Sequence, residues 1–397
     1  MSRDMTSERL AQLDPTDANY AVRAVEIILD AGLAAGATDL HLRPTLAGLE
    51  WRWRVDGVLH DVATLPRAVA PNIIARLKVL AGLLTYHTDT PQEGRIRWRD
   101  ATVEMRLSTL PTLHGEKGVV RLFPAGGQFQ YLDELQFPAD VTARLGELLA
   151  ETSGALLLTG PAGAGKTTTA YAALREIARR APQRAIASLE DPIEVELAGV
   201  AQSQVNEAAG FDLATGLKYL LRQDPEVILV SEVRDRGTAE TVFQAALTGH
   251  LVISTFHAAS AAAAISRLAD MGIEPYLLRS GVLGVLHLRL LRRLCECAGE
   301  SVDAADRLGF EVSPVRVARG CERCHGSGYR GRLPIVELLT VEADDVSRAV
   351  LDRQEARVLE ARAVAAGMTS RWERARQAIA AGWTSAAEAR RVFGFSR

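Results

Sequence analysis

Residues Gly160 to Thr167 read GPAGAGKT. They fit the spacing G-x-x-x-x-G-K-[ST], directly after the apolar run ALLLT and before the helical stretch TTAYAALREIA. Glycines let such a loop curl so that backbone N–H groups and a helix N-terminus face phosphate oxygens. Gly160, Pro161, Gly163, Ala164, Gly165, Lys166, Thr167 and Thr168 are therefore the expected nucleotide-binding residues. Lys166 is expected on the β/γ oxygens and Thr167 on a magnesium ion, so the cofactor set read here is ATP with Mg2+.

Splitting a phosphoanhydride also needs a group that positions water. In EVILVSEVRD, Glu232 follows the apolar run Val227 to Val230, at a strand's C-terminal end, where ligand sites lie in open α/β sheets. In SLEDPIE, Glu190 and Asp191 follow another such run and reach the same sheet edge. Loop solvation accounts for Asp191 equally well. His257 closes the run TGHLVISTFH, where it can sense a γ-phosphate; His250 at the other end packs or caps.

The four cysteines form two close pairs, Cys295/Cys297 and Cys321/Cys324. In a reducing compartment such pairs point to metal before disulfide. Zn2+ is the expected ion, with four structural thiols as the other reading. The first pair is C-x-C, which closes less easily on one ion than C-x-x-C, so His325 or His287 is considered as a substitute ligand.

These groups need elements to hold them. Residues 1–16 read as a flexible tail. The run ANYAVRAVEIILDAGLAAGATDLHL has apolar residues at helical spacing and leads into a strand. LEWRWRVDGVLHDV alternates with period two around an Asp56-Gly57 hairpin turn. GRIRWRDATVEMRLSTL alternates the same way and places Arg95, Arg97 and Arg99 on one face. Residues 17–123 are thus expected to form an α+β domain, joined by a linker at 124–135 to a second domain, 136–397. There ALLLTG, RAIASLED, EVILVSE and HLVISTFH alternate with helical stretches, the pattern of a parallel sheet buried on both faces. A cysteine segment spans 295–324. A helical end covers 340–397, with capping boxes at Ser370/Glu373 and Ser385/Glu388.

Composition excludes several classes. The chain has 397 residues, 48% hydrophobic and 24% charged, the balance of a globular protein rather than a disordered or fibrous one. Its net charge of −3 supplies no overall basic field, so nucleic acid is not an expected partner. Lysine is rare: Lys78, Lys117, Lys166 and Lys218 are the only four. No run approaches the ~18 apolar residues of a membrane span; the longest candidate, 277–291, is broken by Arg279, His287 and Arg289. The N-terminus has no apolar leader segment, and a cytoplasmic location is expected.

Taken together in order, GPAGAGKTTT, SLEDPIE, LRQDPEVILVSEVRD and TGHLVISTFHA resemble the four boxes of the secretion and pilus motor ATPase superfamily, which serves type II secretion, type IV pili and competence. ATDLHL, RVDGVLH, STLPTLHGEKGVVRL, CERCHGSGYRGRLPIVELL and GMTS…GWTS extend the resemblance over roughly residues 20–395. It implies a RecA-like P-loop NTPase domain in an α/β class, with an N-terminal α+β (PAS-like) domain, a cysteine-bearing insertion and a C-terminal helical subdomain. It implies Glu232 as catalytic carboxylate, Glu190 as acidic-box glutamate, His257 in the histidine box, and Arg95 and Arg106 as arginines that approach the γ-phosphate. For Arg97 and Arg99 a solvated face is preferred. A homo-hexamer on an inner-membrane platform protein, peripheral at the cytoplasmic face, is the implied setting, with assembly of pilus or pseudopilus filaments as the work. A retraction motor and a low-turnover regulatory protein are the alternatives, the latter because Ser231 stands where the family usually has Gly. The motor region begins near residue 20, as in the family's short forms.

Overall fold

The computed structural model describes residues 3–99, 103–124 and 129–395. The chain divides into two compact units, residues 1–126 with 319–331, and residues 127–318 with 332–397.

In the first unit the period-two runs become an antiparallel sheet. Helices α1 (Arg3–Ala11) and α2 (Tyr20–Ala34) precede β1 (Asp39–Pro44), β2 (Leu49–Val55) and β3 (Val58–Leu65). Helix α3 (Ala70–Leu80) leads to β4 (Gln92–Ile96), β5 (Val103–Thr112) and β6 (Gly115–Pro124). The sheet order is β3-β2-β1-β6-β5-β4. Trp51 and Trp53 are buried with Ile28 of α2 and Ile73 and Leu77 of α3 in one core. Between them Arg52 pairs with Asp61 across β3. Asp56 and Gly57 both take positive φ, 47° and 79°, as a two-residue turn matching the strand twist requires.

Two expectations are corrected here. Part of the tail, Arg3–Ala11, is helical, with Leu10 buried in the core. The arginine ribbon stops early: β4 ends at Ile96, so Arg97 and Arg99 lie beyond the strand. Trp98 Nε1 donates to Asp30 at 3.1 Å and Arg99 Nη2 donates to the same carboxylate at 2.7 Å, which draws this segment toward α2 and off the sheet. Of the linker, residues 125–128 lie outside the described residues; Leu132–Leu135 form a helical turn whose leucines are buried.

The second unit begins with α4 (Ala139–Leu148), β7 (Gly154–Thr159), α5 (Lys166–Arg180), β8 (Ile186–Glu190) and β9 (Ala201–Gln204). Then come α6 (Leu213–Leu220), β10 (Val227–Val230), α7 (Arg236–Leu247), β11 (Leu251–Phe256), α8 (Ala261–Asp270) and α9 (Pro275–Gly281). Next are β12 (Val282–Leu294), β13 (Gly299–Ser301), α10 (Ala304–Arg307), β14 (Val315–Val317) and β15 (Tyr329–Thr340). Helices α11 (Asp344–Leu351), α12 (Ala356–Ala365), α13 (Arg371–Ala380) and α14 (Ala386–Phe393) close the chain.

The main sheet runs β15-β12-β7-β11-β10-β8-β9, and β8, β10, β11, β7 and β12 are parallel. The four apolar runs are its central strands, buried along their whole length. They need apolar residues on both sides because α4 and α5 cover one face while α6 to α9, α11 and α12 cover the other. The broken apolar stretch 277–291 is not one element: it ends α9 and supplies most of β12, a 13-residue strand beside β7. No helix of the described residues is long and apolar enough to cross a membrane. Both terminal caps form: Ser370 Oγ accepts from Glu373 N at 3.3 Å and Ser385 Oγ from Glu388 N at 3.1 Å. Glu388 itself binds Arg292 of β12 at 2.8 Å, tying α14 to the sheet.

Candidate active site

Strand order converges the site. β7 lies between β11 and β12, and β10 flanks β11, so the chain segments leaving β7, β10 and β11 emerge side by side at one sheet edge. The segment after β7 is the GPAGAGKT loop. Gly160, Gly163 and Gly165 take φ of 144°, 73° and 95°, backbone that a side chain would strain. At Gly160 a Cβ would also meet the Leu288 carbonyl oxygen of β12 at 2.5 Å. Ala164 is buried beneath the loop. Pro161 and Thr168 flank the turn and the first turn of α5, and Thr169 Oγ1 donates to Gly165 O at 2.8 Å.

Lys166 Nζ donates to the Gly160 and Pro161 carbonyls at 2.9 and 3.1 Å, folded over the loop. Burial lowers its pKa, an effect the Glu232 charge opposes. Thr167 Oγ1 donates to Glu194 Oε1 at 3.3 Å, so a carboxylate stands beside the hydroxyl expected to meet magnesium.

Glu232 is held from two sides. His257 Nε2 lies 2.8 Å from its Oε1, and Arg234 Nε donates to its Oε2 at 2.7 Å. Arg234 Nη1 also reaches Asp191 Oδ2 at 3.4 Å, giving Asp191 a partner at the site edge rather than solvent alone; hydrogen bonding to Glu232 raises the Arg234 pKa. The other ring nitrogen of His257 lies 3.1 Å from Gly160 O. One ring thus bridges the Glu232 carboxylate and the Gly160 carbonyl of the loop. His250, at the far end of β11, pairs with the Ala245 carbonyl at 3.1 Å and caps α7.

Glu190 sits deeper, 2% exposed. Ser188 Oγ and Gln202 Nε2 donate to its Oε1 at 2.7 and 2.9 Å, and the Tyr171 hydroxyl donates to its Oε2. Burial, then this bond, raises the Tyr171 pKa. Tyr171 Oη in turn accepts from Glu194 N at 3.1 Å, so Glu190 fixes the segment that carries Glu194. Sequence reading passed over Glu194 and Arg234, although both stand inside the quoted acidic runs; no spacing rule separates them from their neighbours. Ser231 N donates to Leu189 O at 3.0 Å, closing the β10–β8 ladder just before Glu232.

Arg95 and Arg106 are cross-strand partners on β4 and β5 of the first unit. Both approach Glu104, Arg106 at 3.0 Å and Arg95 at 3.4 Å. The register continues through Arg121, Asp39 and Arg54, a row of four arginines across five strands with Asp39 among them.

The sulfurs of Cys295, Cys297, Cys321 and Cys324 all lie within 4.8 Å of one another. Cys321 and Cys324 are 3.7 Å apart, near the ~3.8 Å edge of a tetrahedron with ~2.3 Å metal–sulfur bonds. The Cys321 and Gly328 N–H groups donate to Cys324 Sγ at 3.1 and 3.2 Å. The donor set fits a tetrahedral ion, and the C-x-C pair joins it. Neither candidate histidine belongs to it. His287 is buried beside β7, its Nδ1 3.2 Å from Thr159 Oγ1. Burial, with Arg289, Arg371 and Lys166 nearby, brings its pKa down to about 3.

A family model described as "Type II/IV secretion system protein" matches residues 14–391. The chain is 39% identical over 346 residues to the type IV pilus assembly ATPase PilB of Thermus thermophilus, covering 84% of this chain and 39% of that protein. It is 41% identical over 360 residues to the type II secretion system protein E of Pseudomonas aeruginosa, covering 88% and 71%. The chain therefore spans about two fifths of the length of the Thermus relative. Among solved structures, the ATPase DotB of Legionella pneumophila matches with a TM-score of 0.69 at 18% identity, covering 96% of each chain. The pilus retraction motor PilT with bound ADP matches at 0.56 and 21%, covering 88% and 95%. These two likenesses speak to the fold, which is the mixed α/β, RecA-like one expected.

Proposed function

The chain belongs to the type II/IV secretion system protein family, and from that premise we propose that it is a magnesium-dependent ATPase that powers assembly of type IV pilus or type II pseudopilus-like filaments. The observation that carries this reading is the Glu232–His257–Gly160 connection, which ties a carboxylate at one strand end to the phosphate loop at another. On binding, Lys166 leaves the Gly160 and Pro161 carbonyls for the β/γ oxygens. Thr167, with Glu194 beside it, holds the magnesium, whose charge offsets that of the phosphates. Glu232 orients the attacking water, and His257 keeps that carboxylate in register with the loop. Glu190 positions Glu194 through Tyr171.

Arg95 and Arg106 are the arginines proposed to complete the site when the protein assembles as a homo-hexamer. The work is delivered to an inner-membrane platform protein at the cytoplasmic face, and Zn2+ occupies the four-cysteine group. Relatives named for assembly and secretion favour that direction over retraction, which the fold likeness to PilT alone would equally allow. The test is phosphate release from Mg-ATP by the full chain. Wild type is expected to turn over; Glu232→Gln is expected to bind nucleotide and release none. A wild type that binds Mg-ATP, assembles and never releases phosphate would overturn the motor in favour of a low-turnover regulatory protein.

A further inference from the structure

Glu337, on β15, is 1% exposed and does something no motif advertised: one carboxylate caps two helices. Its Oε1 accepts from Ala261 N at 2.9 Å, the first residue of α8. Its Oε2 accepts from Arg371 N at 3.0 Å, the first residue of α13. Both helix starts thereby receive negative charge where free N–H groups point outward. The Arg371 side chain folds back onto the same carboxylate at 3.2 and 3.4 Å and reaches Glu360 of α12 at 3.3 Å.

The α8 start is also the end of the loop that begins at His257. Only residues 258–260 separate that histidine from Ala261, and Arg267 of α8 donates to the His257 carbonyl at 2.8 Å. The short 258–260 connection and this bond join His257 to the α8 N-terminus, and Glu337 joins that terminus to the start of α13. A buried carboxylate cannot let go of either N–H cheaply, because a polar group left without a partner away from water loses its hydrogen bond and gains none from solvent.

We propose that Glu337 is a positioning residue for ATP hydrolysis: it holds the His257 loop in place through α8 and couples that loop to the C-terminal helices through Arg371. This rests on the nucleotide-site reading given above. Hydrogen–deuterium exchange of the full chain, with and without a non-hydrolysable ATP analogue and magnesium, tests it. Wild type is expected to slow exchange at 160–168 and, about threefold or more, at 371–380. Glu337→Gln, whose amide offers one acceptor oxygen where two are used, is expected to keep the protection at 160–168 and lose it at 371–380. Its kcat should fall about tenfold or more, with analogue affinity within about twofold. Protection at 160–168 without any at 371–380 in wild type overturns the coupling, and this holds even if the variant fails to fold. An unchanged kcat in folded Glu337→Gln overturns the positioning role. No protection at either segment instead removes the nucleotide site on which the inference stands.

Discussion

His257 and Glu232 meet at 2.8 Å, yet they come from neighbouring strands and are separated by 24 residues of chain. The contact exists because β10 and β11 are parallel and in register, with Val230 opposite Ser254, so both segments leave the sheet at the same edge. The opposite ring nitrogen of His257 rests on Gly160. One imidazole therefore touches both the GPAGAGKT loop and the carboxylate.

Replacing that imidazole should separate chemistry from binding. His257→Ala is expected to lower kcat about 100-fold while the affinity for a non-hydrolysable ATP analogue stays within about twofold. Steady-state phosphate release and an equilibrium titration report the two quantities. Equal losses in both would make His257 a binding residue instead.

The arginine row on the first unit is expected to act late in the cycle. Arg106→Ala should bind nucleotide normally and lose about 1,000-fold in turnover once assembled. Mixing it with Lys166→Ala protein should restore part of the activity if the arginine serves a neighbouring copy. Normal turnover by Arg106→Ala alone would remove it from the mechanism.

Elemental analysis of the purified chain should find about one zinc per molecule. Cys321→Ser with Cys324→Ser should lose it together with stability, since ions bound by the folded state contribute their binding energy to folding. A metal-free wild type of full stability would leave four thiols packed without an ion.

His287 gives stability a pH dependence of known sign. Its folded pKa, about 3, lies below the ordinary histidine value of 6.5, so between those values the unfolded chain takes up a proton that the folded chain refuses. Stability from this group is complete above about 6.5 and falls as pH drops, by up to about 1.4 kcal/mol per pH unit. Denaturant unfolding at pH 7.5, 6.0 and 5.0 should show that slope, reduced by close to one proton in His287→Phe. Equal slopes in the two proteins would contradict the assignment.

Ser231 precedes the carboxylate and its backbone closes the ladder to β8. Ser231→Gly is expected to raise kcat a few-fold, about 2- to 5-fold, by clearing a hydroxymethyl from the water's approach. The same assay checks it, and an unchanged or lower rate would show that the serine is not a brake.

The sequence by itself determined the GPAGAGKT loop and the buried parallel strands around it, and it placed Lys166, Thr167, Glu232 and His257 on the segments that follow those strands. Each depends on a local pattern: glycines where φ must be positive, apolar runs where both strand faces are covered, an acid or histidine where a run ends. It also determined both serine caps, which need only the residues three positions on. Tertiary structure decided the rest. The arginine ribbon ended at Ile96 because Asp30, far away in the chain, binds Trp98 and Arg99. The stretch holding His287 and Arg289 became β12 because it lies beside β7. Glu194 gained its place through Tyr171 and Glu190, and Glu337 its two helix starts, by hydrogen bonds that span 23, 76 and 34 residues of chain. Such bonds have no sequence period. They are fixed by strand order and packing, which bring together groups that no local spacing connects.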